Sequence, residues 1–245
     1  MTFWASYGMP VGFVLVITVL VPLALVAFGL IRDRANLLPF GFGALAFAVS
    51  QLVLRLPLLA LVGSWFTAPA VQLSVGYAAY VAAISFSAGL FEEWGRFFFL
   101  KLLSRREKLD GYDALAFGLG HASCEALVLV GASYLVLLCT PLGQLTLSQS
   151  APADIAIAGM ERALSYFIHV GLTFLVFSAV IHNRRRKVWG AVALHGIVNF
   201  FAVVLSSVFS GNIWPAECWM FFCAIAAGLY VLLRLPDYLP GHPKA

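Results

Sequence analysis

Apolar runs of about 20 residues or more recur along this chain, separated by short polar loops. A run of that length crosses the hydrocarbon core of a bilayer as a helix. In lipid the backbone has no water to bond, so only helices or closed barrels satisfy it. Barrel strands would alternate apolar and polar residues, and these runs do not. The reading is an all-α polytopic bundle of seven spans, at about 10–31, 37–62, 70–100, 112–139, 154–181, 188–209 and 215–234. A mean hydropathy of +0.95 with 11% charged residues agrees with an integral membrane protein. The 245 residues suffice for one membrane domain, with no separate soluble one. The first run lacks a basic leader and a small-residue cleavage site, which reads as a retained helix rather than a signal peptide.

The loop charges orient the bundle. Arg32, Arg34, Lys101, Arg105, Arg106, Lys108, Arg184, Arg185, Arg186, Lys187, Arg234 and Lys244 all fall at one end of the spans. The loops at the other end carry no Lys or Arg. By the positive-inside rule the N-terminus lies outside and the C-terminus in the cytoplasm, as an odd span count requires. Trp4, Trp65, Trp214 and Trp219 would line the outer boundary as an aromatic belt. Basic residues confined to loops set topology and give no signal for nucleic acid. The four cysteines form no CxxC pair, which excludes zinc-ribbon and thioredoxin readings. Cys139 and Cys218 both lie near the outer side, where a disulfide could persist, but separate thiols are the simpler expectation.

Within the spans, ionisable residues are few and patterned. Glu92, Glu93 and Arg96 share one turn of the third span, where each charge costs ~3 kcal/mol in hydrocarbon unless paired or functional. Glu92 and Arg96 are one turn apart, so they are expected to pair and leave Glu93 the freer carboxylate. His121 and Glu125 share a face of the fourth span, Arg162 and His169 a face of the fifth, and His195 and Asn199 a face of the sixth. Arg55 reads as a structural pair or a snorkelling side chain. At the helical rise, Glu92, His121 and His195 each lie about 12–14 Å from the basic end, and His169 about 22 Å. These groups are expected to converge on a polar cavity, open or closable to the cytoplasm.

The residue types exclude several chemistries. There is no His-Glu-x-x-His, no Gly-x-Ser-x-Gly and no pair of intramembrane aspartates. Glutamate with histidine can activate water as a general base beside hydrogen-bond donors, or by holding a Zn²⁺. The spacing leaves both open. A non-catalytic clamp for a partner helix and a proton-coupled relay are the other classes, although no internal repeat supports a transporter.

Glu92-Glu93-x-x-Arg96, Phe117-x-x-x-His121, Arg162 with His169, and His195-x-x-x-Asn199 together resemble the CAAX protease and bacteriocin-processing (Abi) superfamily. The likeness is strongest to its YhfC branch, with a relation to the PrsW proteases, and it runs from about Phe91 to Phe200. That resemblance implies an intramembrane protease acting in the bacterial cytoplasmic membrane on a membrane-embedded or lipidated peptide or protein. It implies a catalytic set of Glu92, Glu93, Arg96, His121, His169, His195 and Asn199. One glutamate would activate water, and the histidines and Asn199 would position it or stabilise the oxyanion. A metal-free glutamate mechanism with no cofactor is favoured by the superfamily. If a metal such as Zn is used, its ligands would come from Glu92, Glu93, His121, His169 and His195. The stretch from His169 to His195 also resembles the anterior-pharynx-defective scaffold subunit of gamma-secretase, so a non-catalytic assembly role is the alternative.

Overall fold

The computed structural model describes residues 3–32, 34–63, 67–69 and 74–239. Among the described residues, seven helices are long and apolar enough to cross a membrane: α1 (Phe3–Arg32), α2 (Leu37–Val62), α3 (Val75–Leu103), α4 (Gly111–Leu138), α6 (Pro152–Ile181), α7 (Arg186–Val208) and α8 (Trp214–Tyr238). A short helix, α5 (Pro141–Leu147), lies in the loop between α4 and α6. The described residues include no strand. The seven-span all-α bundle expected from the apolar runs is therefore present, with α1 starting earlier and α3 ending later than the runs suggested. Trp65, Lys244 and the expected start of the third span at 70–73 lie outside the described residues. Among the other belt candidates, Trp4 and Trp214 are exposed, whereas the Trp219 indole donates to the Val198 carbonyl of α7 at 3.0 Å.

The helix starts follow local chemistry. Ser74 caps α3 by accepting from Tyr77 N at 3.1 Å. Asp110 and Asp113 form a reciprocal capping box at the start of α4. Thr140 caps α5, and Pro141 occupies its first turn, where a missing N–H costs nothing.

Helix α6 is the centre of the bundle. Its most apolar window is 72% buried, against 33% or less in every other span. It packs against α1, α3, α4, α7 and α8. Its buried Phe174, Val176, Phe177 and Ala179 join Leu100, Leu103, Ala114 and Phe117 in the main core. Small residues set the spacing around it. A Cβ on Gly43 of α2 would collide with the Phe117 carbonyl, and one on Gly120 of α4 with the Phe40 carbonyl. These two glycines let α2 and α4 approach at backbone contact, which lipid-immersed helices achieve with small side chains. On the other flank, a Cβ on Gly89 of α3 would stand 2.7 Å from the Val192 carbonyl of α7. The glycines thus bring α4, with His121 and Glu125, and α7, with His195, up against the helices that face them.

Two interruptions of the α-helical ladder flank the same region. Residues Ala48–Arg55 of α2 and Ala126–Gly131 of α4 are wound as π-helix. The wider turn gains one residue per circuit and re-aims side chains, a feature frequent at functional sites. Here it buries Gln51 and Arg55 within α2.

Candidate active site

Six ionisable residues from four helices meet in the interior between α3, α4, α6 and α7. Glu92, Glu93, Glu125, His121, His169 and His195 are all at most 8% exposed, and Arg96 beside them is fully buried. Burial of charged groups in this medium is tolerable only with close partners, and each partner is present.

Glu92 is held from two sides. His121 Nε2 lies 3.1 Å from Glu92 Oε2, and Gln51 Nε2 donates to Glu92 Oε1. The Gln51 amide is fixed in turn by Arg55, whose Nη1 donates to Gln51 Oε1 at 3.0 Å. Arg55 also donates to Ser87 Oγ at 3.1 Å and to the Ile84 carbonyl at 2.9 Å, tying α2 to α3. The structural reading of Arg55 is the observed one. Gln51 had drawn no attention in the sequence.

Arg96 corrects an expectation. Its Nη1 donates to both oxygens of Glu93, at 2.6 Å each, while its Nη2 stands 4.0 Å from Glu92. The guanidinium therefore pairs with the carboxylate three residues back, and Glu92, not Glu93, is the freer of the two. The reason is tertiary. Gln51 and His121, from α2 and α4, draw Glu92 to the other side of the turn. Arg96 Nη2 also donates to His169 Nδ1 at 3.0 Å. An arginine cannot accept, so His169 carries its proton on Nε2. That nitrogen lies 2.5 Å from Glu125 Oε2. Glu125 Oε1 accepts from Arg162 Nη1 at 2.6 Å.

His195 completes the group. Its Nδ1 donates to Glu93 Oε1 at 2.7 Å. This leaves Nε2 facing Glu92 Oε1 at 3.9 Å. The imidazoles of His121, His169 and His195 form a row, with ring centroids 5.1 and 5.7 Å apart. Asn199, one turn beyond His195, is half-buried and makes no hydrogen bond to the cluster among the described residues. Glu125 enters the site although the sequence had singled it out only as the helical neighbour of His121.

Ligand atoms of Glu92, His121, Glu125 and His169 all lie within 4.8 Å of one another. Two imidazoles and two carboxylates, all buried, are a donor set suited to Zn²⁺ and similar borderline divalent metals. His121 Nδ1 has no hydrogen-bond partner among the described residues. Gln51 stands behind Glu92 and Arg162 behind Glu125, whereas His169, which accepts from Arg96 at Nδ1, would have to give up its Nε2 proton to ligate. The residues fit a metal. Every member of the cluster is buried, and the cavities of about 280 and 380 Å³ are lined by other residues. Cys139 and Cys218 are separate, exposed thiols.

A family model described as YhfC intramembrane metalloprotease matches residues 17–140 and 138–220 of this chain. The matched stretches contain every member of the cluster. A curated relative, the "Uncharacterized membrane protein YhfC" of Bacillus subtilis (strain 168), is 26% identical over 212 residues, covering 77% of this chain and 81% of the relative. No solved structure matches the chain significantly.

Proposed function

Because the chain belongs to the YhfC intramembrane metalloprotease family, we propose that it is an intramembrane peptidase whose hydrolytic centre is the cluster around Glu92. The observation that carries this reading is the convergence of Glu92, His121, Glu125 and His169 within 4.8 Å in a bilayer-spanning bundle. Those four residues would hold a divalent metal such as Zn²⁺, which when bound supplies a Lewis acid and lowers the pKa of its water.

The chain's own groups then have distinct tasks. Arg96 fixes Glu93, and Glu93 fixes the tautomer and aim of His195 through Nδ1. This is the orienting role a carboxylate plays behind a catalytic imidazole. His195 Nε2, free and 3.9 Å from Glu92, takes a proton from water held at Glu92 and passes it to the leaving amine. Gln51 keeps Glu92 in place from the far side. Asn199 stands one turn along α7 from His195, where its amide can reach the carbonyl of a substrate strand entering beside α7 and stabilise the oxyanion. Arg162 holds Glu125. Because the cluster is buried, substrate entry requires helices to part, which also keeps bulk water out between turnovers.

The substrate is a membrane-embedded or lipid-anchored polypeptide. With the basic loops in the cytoplasm, the scissile bond lies in the cytoplasmic half of the bilayer, about 14 Å from the basic end of α3. The test is cleavage of membrane peptides by the reconstituted protein, followed by mass spectrometry. Products that appear with Zn²⁺ and vanish on chelation are expected. Absence of any product in a strain that needs the protein, with Glu92 and Glu93 both replaced by Gln and growth fully restored, would instead favour a scaffold.

Orientation is a separate prediction. Twelve loop Lys and Arg at one end support a cytoplasmic location for that end and for the C-terminus. A C-terminal green fluorescent fusion should shine, and a C-terminal alkaline phosphatase fusion should stay inactive. Active phosphatase at that position would invert the bundle.

A further inference from the structure

The cavity of about 280 Å³ lies away from the Glu92 cluster, between α6, α7 and α8, and its lining includes Glu161, Ser206, Ser207, Glu217 and Met220. It opens at the end of the bundle opposite the basic loops, since Ser206 and Ser207 close α7 and Glu217 sits in the first turn of α8.

Glu217 is the unusual member. It is 3% exposed, and neither carboxylate oxygen has a hydrogen-bond partner among the described residues. A first-turn carboxylate is favoured by the helix dipole, yet a buried one normally accepts a backbone N–H, and Glu217 does not. It faces the Glu161 carboxyl, close enough for a hydrogen bond if a proton lay between them, with the Arg162 guanidinium also in electrostatic reach. Arg162, however, is committed to Glu125. Two acidic groups facing each other repel unless something positive joins them.

We propose that this cavity is a binding site for a hard divalent cation, Ca²⁺ or Mg²⁺, held by Glu161 and Glu217. Apart from the Met220 thioether, the side-chain donors of the lining are all oxygens, from Glu161, Ser206, Ser207 and Glu217, which is the donor chemistry of such ions. It differs from the mixed imidazole and carboxylate set of the Glu92 cluster. Ser207 Oγ donates to the Val203 carbonyl at 2.8 Å and meets Tyr77 Oη at 2.8 Å. It keeps one lone pair for an ion or its water. Ser206, one residue earlier on the cavity rim, adds a hydroxyl exposed to solvent. A water occupies about 30 Å³ of liquid, so the space accommodates an ion that retains part of its hydration shell. Glu161 is also the chain neighbour of Arg162, which places the cation one residue from the arginine that holds Glu125. The site stands independently of the peptidase reading.

The test uses the full-length protein in lipid nanodiscs, first saturated with Zn²⁺ and cleared of excess. Tb³⁺ serves as the probe, because Trp214 and Trp219 flank Glu217 on α8 and their excitation sensitises a lanthanide bound there. A saturable signal is expected, displaced by CaCl₂ or MgCl₂ with Kd on the order of 10⁻⁴–10⁻³ M, as in exchangeable extracellular sites. Glu217→Gln and Glu161→Gln should each weaken it about 10-fold or more, at least the effect of disturbing a ligand's support, while Glu92→Gln should leave it unchanged. If Glu217→Gln fails to fold, the half-buried Glu161 carries the test. No saturable signal in the wild type means that a proton alone joins the two carboxyls, and the proposal fails. It fails equally if both carboxamide variants bind normally, or if Glu92→Gln removes the signal.

Discussion

Replacing Glu92 by Gln lowers turnover by about 10²-fold or more, the scale of losing a group that acts on the attacking water, and leaves the bundle folded. Glutamine keeps the size; its one carbonyl oxygen accepts from Gln51, and its amide can donate to His121 Nε2 in the other tautomer, so the packing around α3 survives. It loses the negative charge that a metal or an activated water requires. Glu93→Gln acts by a different route. It deprives Arg96 and His195 of their carboxylate, so activity falls together with stability. The comparison corrects the order in which the two glutamates matter, because Arg96 engages Glu93 at 2.6 Å and Glu92 only at 4.0 Å. The check is a paired measurement of cleavage rate and thermal unfolding for both variants. Equal loss of stability in the two would contradict the assignment.

The second large effect concerns Arg96. Its side chain is fully buried, bonded to both oxygens of Glu93 and to His169. Arg96→Leu leaves a carboxylate buried without its counter-charge. Removing one partner of such a pair costs ~3–5 kcal/mol, because the other charge stays desolvated. The expected result is a large drop in unfolding temperature. The double replacement Arg96→Leu with Glu93→Leu should recover much of it, since both charges then leave together. Additive losses in the double variant would mean that the two residues act separately.

Much of this architecture could be read from the chain before any coordinates. The seven spans were legible because each apolar run is as long as a bilayer is thick, and Pro, Gly and basic residues punctuate them. The cluster was legible because glutamate and histidine in hydrocarbon are too costly to be incidental. The pairing within it was not. Spacing allows Arg96 to meet the residue three or four back, and only the positions of Gln51 and His121 on other helices decide between Glu93 and Glu92. Gln51 escaped notice because a neutral amide carries no charge signal, although its one-turn spacing to Arg55 marks a polar face on an otherwise apolar span. Helix α5 was hidden in a loop, yet Thr140-Pro141 is a cap followed by a first-turn proline. Glu217 fell at a span end, where a carboxylate is ordinary. Its burial without a partner is a tertiary fact.

Whether Glu92, His121, Glu125 and His169 form a metal centre is decided most directly by metal stoichiometry. The purified protein is dialysed against buffered Zn²⁺ and assayed by inductively coupled plasma mass spectrometry, beside a Glu125→Gln/His169→Ala variant that retains its fold. A four-ligand site predicts about one Zn²⁺ per chain in the wild type and little in the variant. Wild-type protein that binds no Zn²⁺, or a variant that binds as much as the wild type, would contradict it.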